Sequence, residues 1–464
     1  MSDIEPQAPM GVNKLYFAVW RWHFYAALYV VPFLVMLAVT GILMVWFTAL
    51  APEYGERLVV APQPMAQSIT DQAAAALATH PDGTIGQYIA PYSASNPAMF
   101  RIDVEGSQHM IAVNPYTGDV LRDTVNGATW YTLINDVHGS LLFGDSGDLL
   151  VEIAASLALL MVLTGLYLHW PRKDEGLRNL LVPNLAAKGR AWWKSLHSVL
   201  GFWISIILVF FLISGLAWAG IWGGKFVQAW STFPAEKWDN VPLSDERHKD
   251  MNMTAAETVP WALEQTQMPE SGSQTGLTGL PMGTPVGLEN LVTLGRAIGF
   301  EGRFQIAFPK DTSGVWTLSQ DSMSYDSINP MIDRTVHIDQ FTGKILVSVG
   351  FADYGLAGKA MAVGIALHEG QLGAWNVAMN IAFCLIVIFV AISGVVMWWM
   401  RRPAGAARLA APPMPADVPL RNGVIVIGIA LSMAFPVLGL TLIAVLAVDV
   451  LVLQNLAWLK RVVS

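Results

Sequence analysis

Apolar and polar positions divide this chain into long uncharged runs separated by segments of mixed polarity. Residues 24–50, 195–224 and 371–400 carry no charged side chain, and 149–170 carry only Glu152. A membrane-crossing helix needs about 20 predominantly apolar residues, so each run predicts a span. The run 422–459 holds only Asp449 but is interrupted at Pro436-Val437-Leu438-Gly439. It reads as two short helices in a tight hairpin, with one long kinked helix as the alternative. The segments between the runs have a different rhythm. Residues 70–79 and 254–267 have a helical pattern, whereas 100–113, 304–308 and 315–318 alternate as strands do. Within 114–121 and 339–346, Tyr116-Thr117-Gly118 and Phe341-Thr342-Gly343 read as hairpin turns, where Gly supplies a positive φ. Residues 268–290, rich in Gly, Pro, Ser and Thr, read as a flexible loop.

These elements predict an α-helical integral membrane protein in which a helix–α+β domain–helix unit occurs twice in tandem. The expected divisions are an N-terminal segment with the first span (1–50), an outer domain (51–146), a second span (147–171) and a loop (172–194). A third span (195–222), a second outer domain (223–370) and a fourth span (371–400) follow. A linker (401–421) leads to the C-terminal hairpin (422–459), counted as a fifth and sixth span; the kinked alternative makes five. Both first helices run one way and both second helices the other, so the repeat is parallel, about an axis along the membrane normal.

Charge orients the chain. Charged residues make up 13% of it, against about 25% in soluble domains, which fits a lipid-bilayer environment. Loop 171–194 gathers Arg172, Lys173, Arg178, Lys188, Arg190 and Lys194, and Arg401, Arg402 and Arg408 follow the fourth span. Segment 51–146 has only Arg57, Arg101 and Arg122 among many acids. The positive-inside rule therefore puts the N-terminus and loop 171–194 on the cytoplasmic side and both α+β domains outside; Lys460 and Arg461 put the C-terminus inside. The net charge of −8 argues against nucleic-acid binding. The single cysteine, Cys384, excludes a disulfide framework and a Cys-ligated iron–sulfur cluster within this chain.

The histidines carry the chemistry. Thr40-Gly41 follows His23 at the same offset at which Ser214-Gly215 follows His197. His138 and His368 each precede an apolar run ending in Thr164-Gly165 or Ser393-Gly394 and then a basic cluster. An isolated interfacial histidine is usually structural, but paired histidines at equivalent ends of repeated helices suit bis-histidine haem, for which neutral imidazole is the common axial ligand. The symmetric assignment pairs His23 with His197 near the cytoplasm and His138 with His368 near the outer face. His169 is level with the inner pair, and its repeat counterpart is Trp398. It is open to replacing one partner, ligating a further haem or packing at the interface. The Thr/Ser-Gly pairs offer close approach to a helix or to a flat macrocycle. His80, His109, His248 and His337 match no repeat position and are expected to face solvent. Arg21, Lys194 and Lys359 are candidate cations for propionates or an anionic chelate, and most tryptophans are expected in an interface belt. No Gly-rich phosphate loop precedes a helix, so a reductant must come from a separate donor.

The two aromatic-Thr-Gly hairpins resemble the ends of PepSY domains. His23…Thr40-Gly41, His138-Gly139…Thr164-Gly165-Leu166-Tyr167-Leu168-His169-Trp170-Pro171-Arg172, Leu196-His197…Ser214-Gly215 and Leu367-His368-Glu369-Gly370…Ser393-Gly394 resemble the PepSY-associated transmembrane family over roughly residues 15–403. That resemblance implies a bacterial inner-membrane protein with periplasmic domains and b-type haem, two expected and a third if His169 ligates one. It implies reduction of a ferric siderophore with release of ferrous iron, the electrons coming from membrane quinol or a cytosolic reductase. His169 departs from the family pattern, where many members have Trp, and 422–459 is an extension found in part of the family. The rival expectations are a non-enzymatic regulator binding envelope partners through its PepSY-like domains and a solute transporter. The near absence of charge in the four main spans counts against the transporter.

Overall fold

A computed structural model of the chain describes residues 14–172, 176–238, 240–251, 259–403, 408–413, 422–453 and 455. Lys173, Lys460, Arg461 and the first part of the helix expected at 254–267 lie outside the described residues. In chain order the elements are α1 (Lys14–Val45), α2 (Ile69–Leu77), β1 (Thr84–Ile89), β2 (Ala98–Val104), β3 (Ser107–Val113), β4 (Val120–Val125), α3 (Trp130–Ser140), α4 (Gly144–His169), α5 (Leu177–Leu181) and α6 (Arg190–Leu216). Then come α7 (Gln228–Ser231), β5 (Leu243–Arg247), β6 (Gln267–Pro269), α8 (Leu288–Ala297), β7 (Gln305–Ala307), β8 (Val315–Gln320), β9 (Arg334–Asp339), β10 (Ile345–Gly350), α9 (Leu356–Glu369), α10 (Ala374–Arg401), α11 (Asn422–Ala434) and α12 (Pro436–Val448). The chain forms two units, one of residues 1–42, 136–226 and 380–464, the other of 43–135 and 227–379.

The first unit is helical. Among the described residues four helices are long and apolar enough to cross a membrane: Lys14–Leu50, Gly144–His169, Arg190–Leu216 and Ala374–Arg401. α1, α6 and α10 meet through Leu34, Ala38, Ile204, Phe211, Phe383 and Val387, and Phe211 stacks on Phe383 at 4.4 Å. The one acid expected within the four long spans is used structurally. Buried Glu152 of α4 accepts the backbone N–H groups of Ile221 and Trp222 at 3.2 and 3.1 Å, and Asp148 accepts that of Gly220 at 2.9 Å. These carboxylates satisfy amides that the turn after α6 leaves without helical partners.

The C-terminal run breaks one residue earlier than the sequence suggested. α11 ends at Ala434 and α12 begins at Pro436, whose ring cannot donate to the preceding turn. The Nε1–H of Trp222 donates to Ala434 O at 2.8 Å, and its ring stacks on Phe435 at 5.6 Å, so an indole caps the break. A Cβ on Gly439 would lie 2.9 Å from the Ser432 side chain, which requires the chain to fold back on itself there. Each helix has 13 residues, about 20 Å, against a hydrocarbon thickness of about 30 Å. Among the described residues the run forms these two short helices, α12 continuing through a π-helical stretch to Leu453.

The second unit corrects the expectation of two separate outer domains. Each half supplies a helix followed by a four-stranded antiparallel meander, α2 with β1 to β4 and α8 with β7 to β10. The two meanders are joined into one eight-stranded sheet of order β10-β9-β8-β7-β1-β2-β3-β4. At the seam Gln87, Tyr88 and Ile89 of β1 pair antiparallel with Ala307, Ile306 and Gln305 of β7, and the buried Gln87 Nε2 donates to Gln305 Oε1 at 2.5 Å. An open strand edge leaves main-chain donors and acceptors unpaired, and this seam removes two such edges. Tyr88, Phe100, Ile102, Ile111, Leu291, Phe304, Ile306, Leu318, Val336 and Ile338 form a shared core beneath α2 and α8.

The second-half helix begins at the end of the expected loop rather than at 254–267. α8 buries Leu288, Leu291 and Leu294 on one face, an amphipathic spacing masked in the sequence by flanking Pro281, Pro285 and Gly287. The described part of 254–267 is instead turns leading into β6. Part of the expected loop pairs along the outer edge of β10, with Leu277 and Ile345 exchanging backbone hydrogen bonds at 2.8 and 3.1 Å. At the opposite edge β4 exposes Arg122 and Asp123, charges that discourage further strand pairing. Ile306 is fully buried beside the seam, so Ile306→Ala should cost about 2–5 kcal/mol, read as a lower urea midpoint for proteolysis of the second unit.

Candidate functional site

Three of the histidines singled out in the sequence are seated alike in the first unit. His23 Nδ1 lies 2.9 Å from Thr164 Oγ1, His138 Nδ1 lies 2.7 Å from Thr40 Oγ1, and His197 Nδ1 lies 2.9 Å from Ser393 Oγ and 3.0 Å from Val390 O. In every case the hydroxyl belongs to a Thr/Ser-Gly pair on another helix. The glycine of the pair lies under the ring edge: a Cβ at Gly165 would come 3.3 Å from His23 Cε1, at Gly394 3.4 Å from His197 Cε1, and at Gly41 3.9 Å from His138 Cε1. The small residue makes room for an imidazole.

Hydrogen positions follow from the partners. A carbonyl only accepts, so His197 Nδ1 carries the proton that meets Val390 O. Thr164 and Thr40 direct their hydroxyl protons to Leu160 O at 2.9 Å and Met36 O at 2.7 Å on their own helices, so each oxygen accepts from a histidine Nδ1–H. The neutral ring then presents a lone pair at Nε2. Among the described residues no hydrogen bond reaches Nε2 of His23, His138 or His197. This is the arrangement of a metal-ligating histidine, its second nitrogen oriented by a hydrogen bond. His197 is an electrostatic neighbour of His23, and His169 of His197.

His169 differs. At the end of α4 its Nε2 donates to Leu180 O at 3.1 Å, and its ring meets Phe202 edge-on at 6.0 Å. Its ordinary ligating nitrogen is therefore engaged. His368 belongs to the second unit and sits half-buried in the last turn of α9, which Gly370 ends with a φ of 83°. Of the candidate cations, Arg21 donates to Pro412 O at 2.7 Å, Lys359 donates to Ala352 O at 2.7 Å, and Lys194 is exposed.

Beside His368 the second unit holds a set of buried acids that the sequence reading passed over. The β8–β9 connection folds around its own carboxylates. Asp321 accepts Ser324 N at 2.7 Å, Asp333 accepts Ser322 N at 2.9 Å, and Asp326 accepts Arg303 Nε and Gln305 Nε2, each at 3.0 Å. Gln371 ties this connection to the turn after α9, donating to Met323 O at 3.0 Å and to Glu369 Oε2 at 2.5 Å. Burial, and then the charge of Asp321, push Glu369 up to about 8. The available signal was the Asp-Ser spacing of residues 321–327, which favours side-chain-capped turns.

Two further histidines correct the expectation of solvent exposure. His248 and His337 are fully buried and joined Nε2 to Nε2 at 2.9 Å. His248 Nδ1–H donates to Thr266 O at 2.8 Å, so its Nε2 accepts from His337 Nε2–H, whose Nδ1 accepts from Thr317 Oγ1–H at 2.9 Å. The chain of donors is complete with both rings neutral, and it pins the β9 core to the segment before β6.

The family described as PepSY-associated TM region matches residues 20–401. No curated protein matches the chain.

The stability of the second unit should carry two pH-dependent contributions of opposite sign. Burial lowers His248 to about 4, so its contribution is full above the ordinary imidazole value and is lost as pH falls towards 4. Burial, and then Asp321, raise Asp333 well above the carboxylate range, so its contribution is full at low pH and is lost as pH rises through the raised value. In thermal melts across pH, His248→Gln should remove the contribution that is lost on acidification and Asp333→Asn the one that is lost as pH rises.

Proposed function

From a chain that belongs to the PepSY-associated TM region family, we propose a haem-b oxidoreductase of the bacterial inner membrane that passes electrons from a cytoplasmic-side donor to a periplasmic ferric siderophore. The observation that carries this reading is the seating of His23 and His197: each Nδ1 is held by a Thr/Ser hydroxyl of another helix, each Nε2 is left free, and the two are electrostatic neighbours. Haem b held by this pair would supply a reversible one-electron iron couple.

The chain's own residues do the rest. Thr164, Ser393 and the Val390 carbonyl fix tautomer and ring orientation. Gly165 and Gly394 leave space for the ring edges. The uncharged helix faces exclude water and keep the surroundings of low dielectric, which limits reorganisation when charge moves. His169, bonded to Leu180 O and packed on Phe202, acts in this reading as a positioning residue; a third haem there would first have to release that bond. The sequence repeat extends the ligand reading to His138, which has the same Nδ1 seat, and to His368.

One electron delivered to ferric iron in the siderophore gives ferrous iron, a softer cation that a hard-oxygen chelator holds less tightly. With no phosphate-binding glycine loop in the sequence, the donor is membrane quinol or a separate cytosolic reductase. Electron transfer to a chelate needs no acid–base residue, and none is assigned.

Protein purified from haem-replete cells should give a low-spin b-type spectrum at about two haems per chain, with dithionite reduction reversible in air. His23→Ala or His197→Ala should halve the haem content, and Ser393→Ala should retain haem but shift one midpoint potential. Well-folded protein without haem would sink this reading and leave a regulatory, partner-binding role ahead.

A further inference from the structure

The first half of the second unit gathers three metal-ligating side chains that the sequence keeps apart. His80 follows α2, His109 lies on β3 and Asp123 on edge strand β4. His80 Nε2 lies 2.8 Å from one carboxylate oxygen of Asp123, and His109 Nδ1 lies 2.8 Å from the other. The imidazole centroids are 4.0 Å apart with the rings tilted by 46°. One ligand atom from each of the three lies within 4.8 Å of the other two. Their side chains keep 22%, 15% and 37% exposure for His80, His109 and Asp123, enough for an ion to enter. Both histidines were expected to be unpartnered solvent residues.

We propose that His80, His109 and Asp123 form a site for a divalent transition-metal cation of the Zn2+ or Fe2+ class. Two imidazoles and one carboxylate are the donor set such cations take, and three protein ligands leave open positions for water or a chelate. The scaffold holds two of the ligands rigidly. Antiparallel pairing of Ile111 with Asp123 and of His109 with Val125 makes His109 and Asp123 diagonal neighbours on one face of the sheet. Ser107 Oγ approaches the other nitrogen of His109 at 3.3 Å, an outer partner for a ligating ring. Partial burial opposes ionisation of Asp123, but the bonds from His109 and His80 outweigh it and hold the carboxyl below its usual range. Without metal, protons on the two facing nitrogens meet the two carboxylate oxygens. A cation needs a lone pair on each facing nitrogen, so a neutral ring moves its proton to its other nitrogen and an imidazolium gives one up, and binding weakens as pH falls. The site stands independently of the haem reading.

The test is equilibrium dialysis of the full-length protein in detergent against buffered Zn2+, with bound zinc counted per chain. One Zn2+ more in the wild-type chain than in Asp123→Asn or in the His80→Gln/His109→Gln double variant, with the difference shrinking between pH 7.5 and about pH 5.5, is the expected result. Equal zinc in wild type and a folded double variant overturns the site. Should the double variant fail to fold, Cu2+ paramagnetic resonance on the wild type decides. Couplings to two nitrogens support the site, and a spectrum without nitrogen coupling removes it.

Discussion

An imidazole among apolar helices has two ring nitrogens that cannot be left to water, and the helical unit is arranged around that demand. The Thr/Ser-Gly pair meets it. The hydroxyl sends its proton to a carbonyl of its own helix, as Thr40, Thr164 and Ser393 each do, and keeps a lone pair for the incoming Nδ1–H. The adjacent glycine removes the Cβ that would collide with the ring edge. Neither residue suffices alone: a hydroxyl without room could not be reached, and room without a hydroxyl would strand a donor. Of the four Thr/Ser-Gly pairs singled out in the sequence, those at Thr40, Thr164 and Ser393 hold a histidine of another helix in this way.

The sheet unit meets the same demand with main-chain groups as well as hydroxyls. Its buried acids cap the backbone of the connection that contains them, and its buried histidines pass a single line of hydrogen bonds from Thr317 to Thr266. In both units, these buried polar groups are matched donor to acceptor. Among the described residues no hydrogen bond reaches the Nε2 atoms of His23, His138 and His197, and buried atoms such as Trp238 Nε1 and Thr335 Oγ1 are likewise without a partner.

Much of this was legible in the sequence because it is local. Nearly uncharged runs marked the four long helices, and the equal offsets from His23 and His197 to a Thr/Ser-Gly pair singled out two histidines that are seated alike. The partner of each pair was not legible. Offsets within one helix suggested that the glycines faced a macrocycle or a helix, whereas Gly165 lies against His23 and Gly394 against His197, contacts made between helices. The same blindness to tertiary proximity hid the meeting of His248 with His337 and of His80 with His109 and Asp123, none of which shares a motif. Pattern also misled where composition dominated. Pro and Gly around residues 281–287 outweighed the leucine spacing of α8, and two similar hairpins suggested two domains where strand edges fuse into one sheet.

That fusion has a consequence for how the chain is made. β1 finds its neighbour β7 only across a sequence gap of 218 residues, the separation of Gln87 and Gln305. During synthesis the first meander must wait, its seam edge bare, while two long apolar helices and the segment after them emerge. Contacts this distant in sequence close late and slowly, and an unpaired strand is an invitation to the wrong partner. The waiting half-sheet is the point in the protein's life at which an escort would matter most.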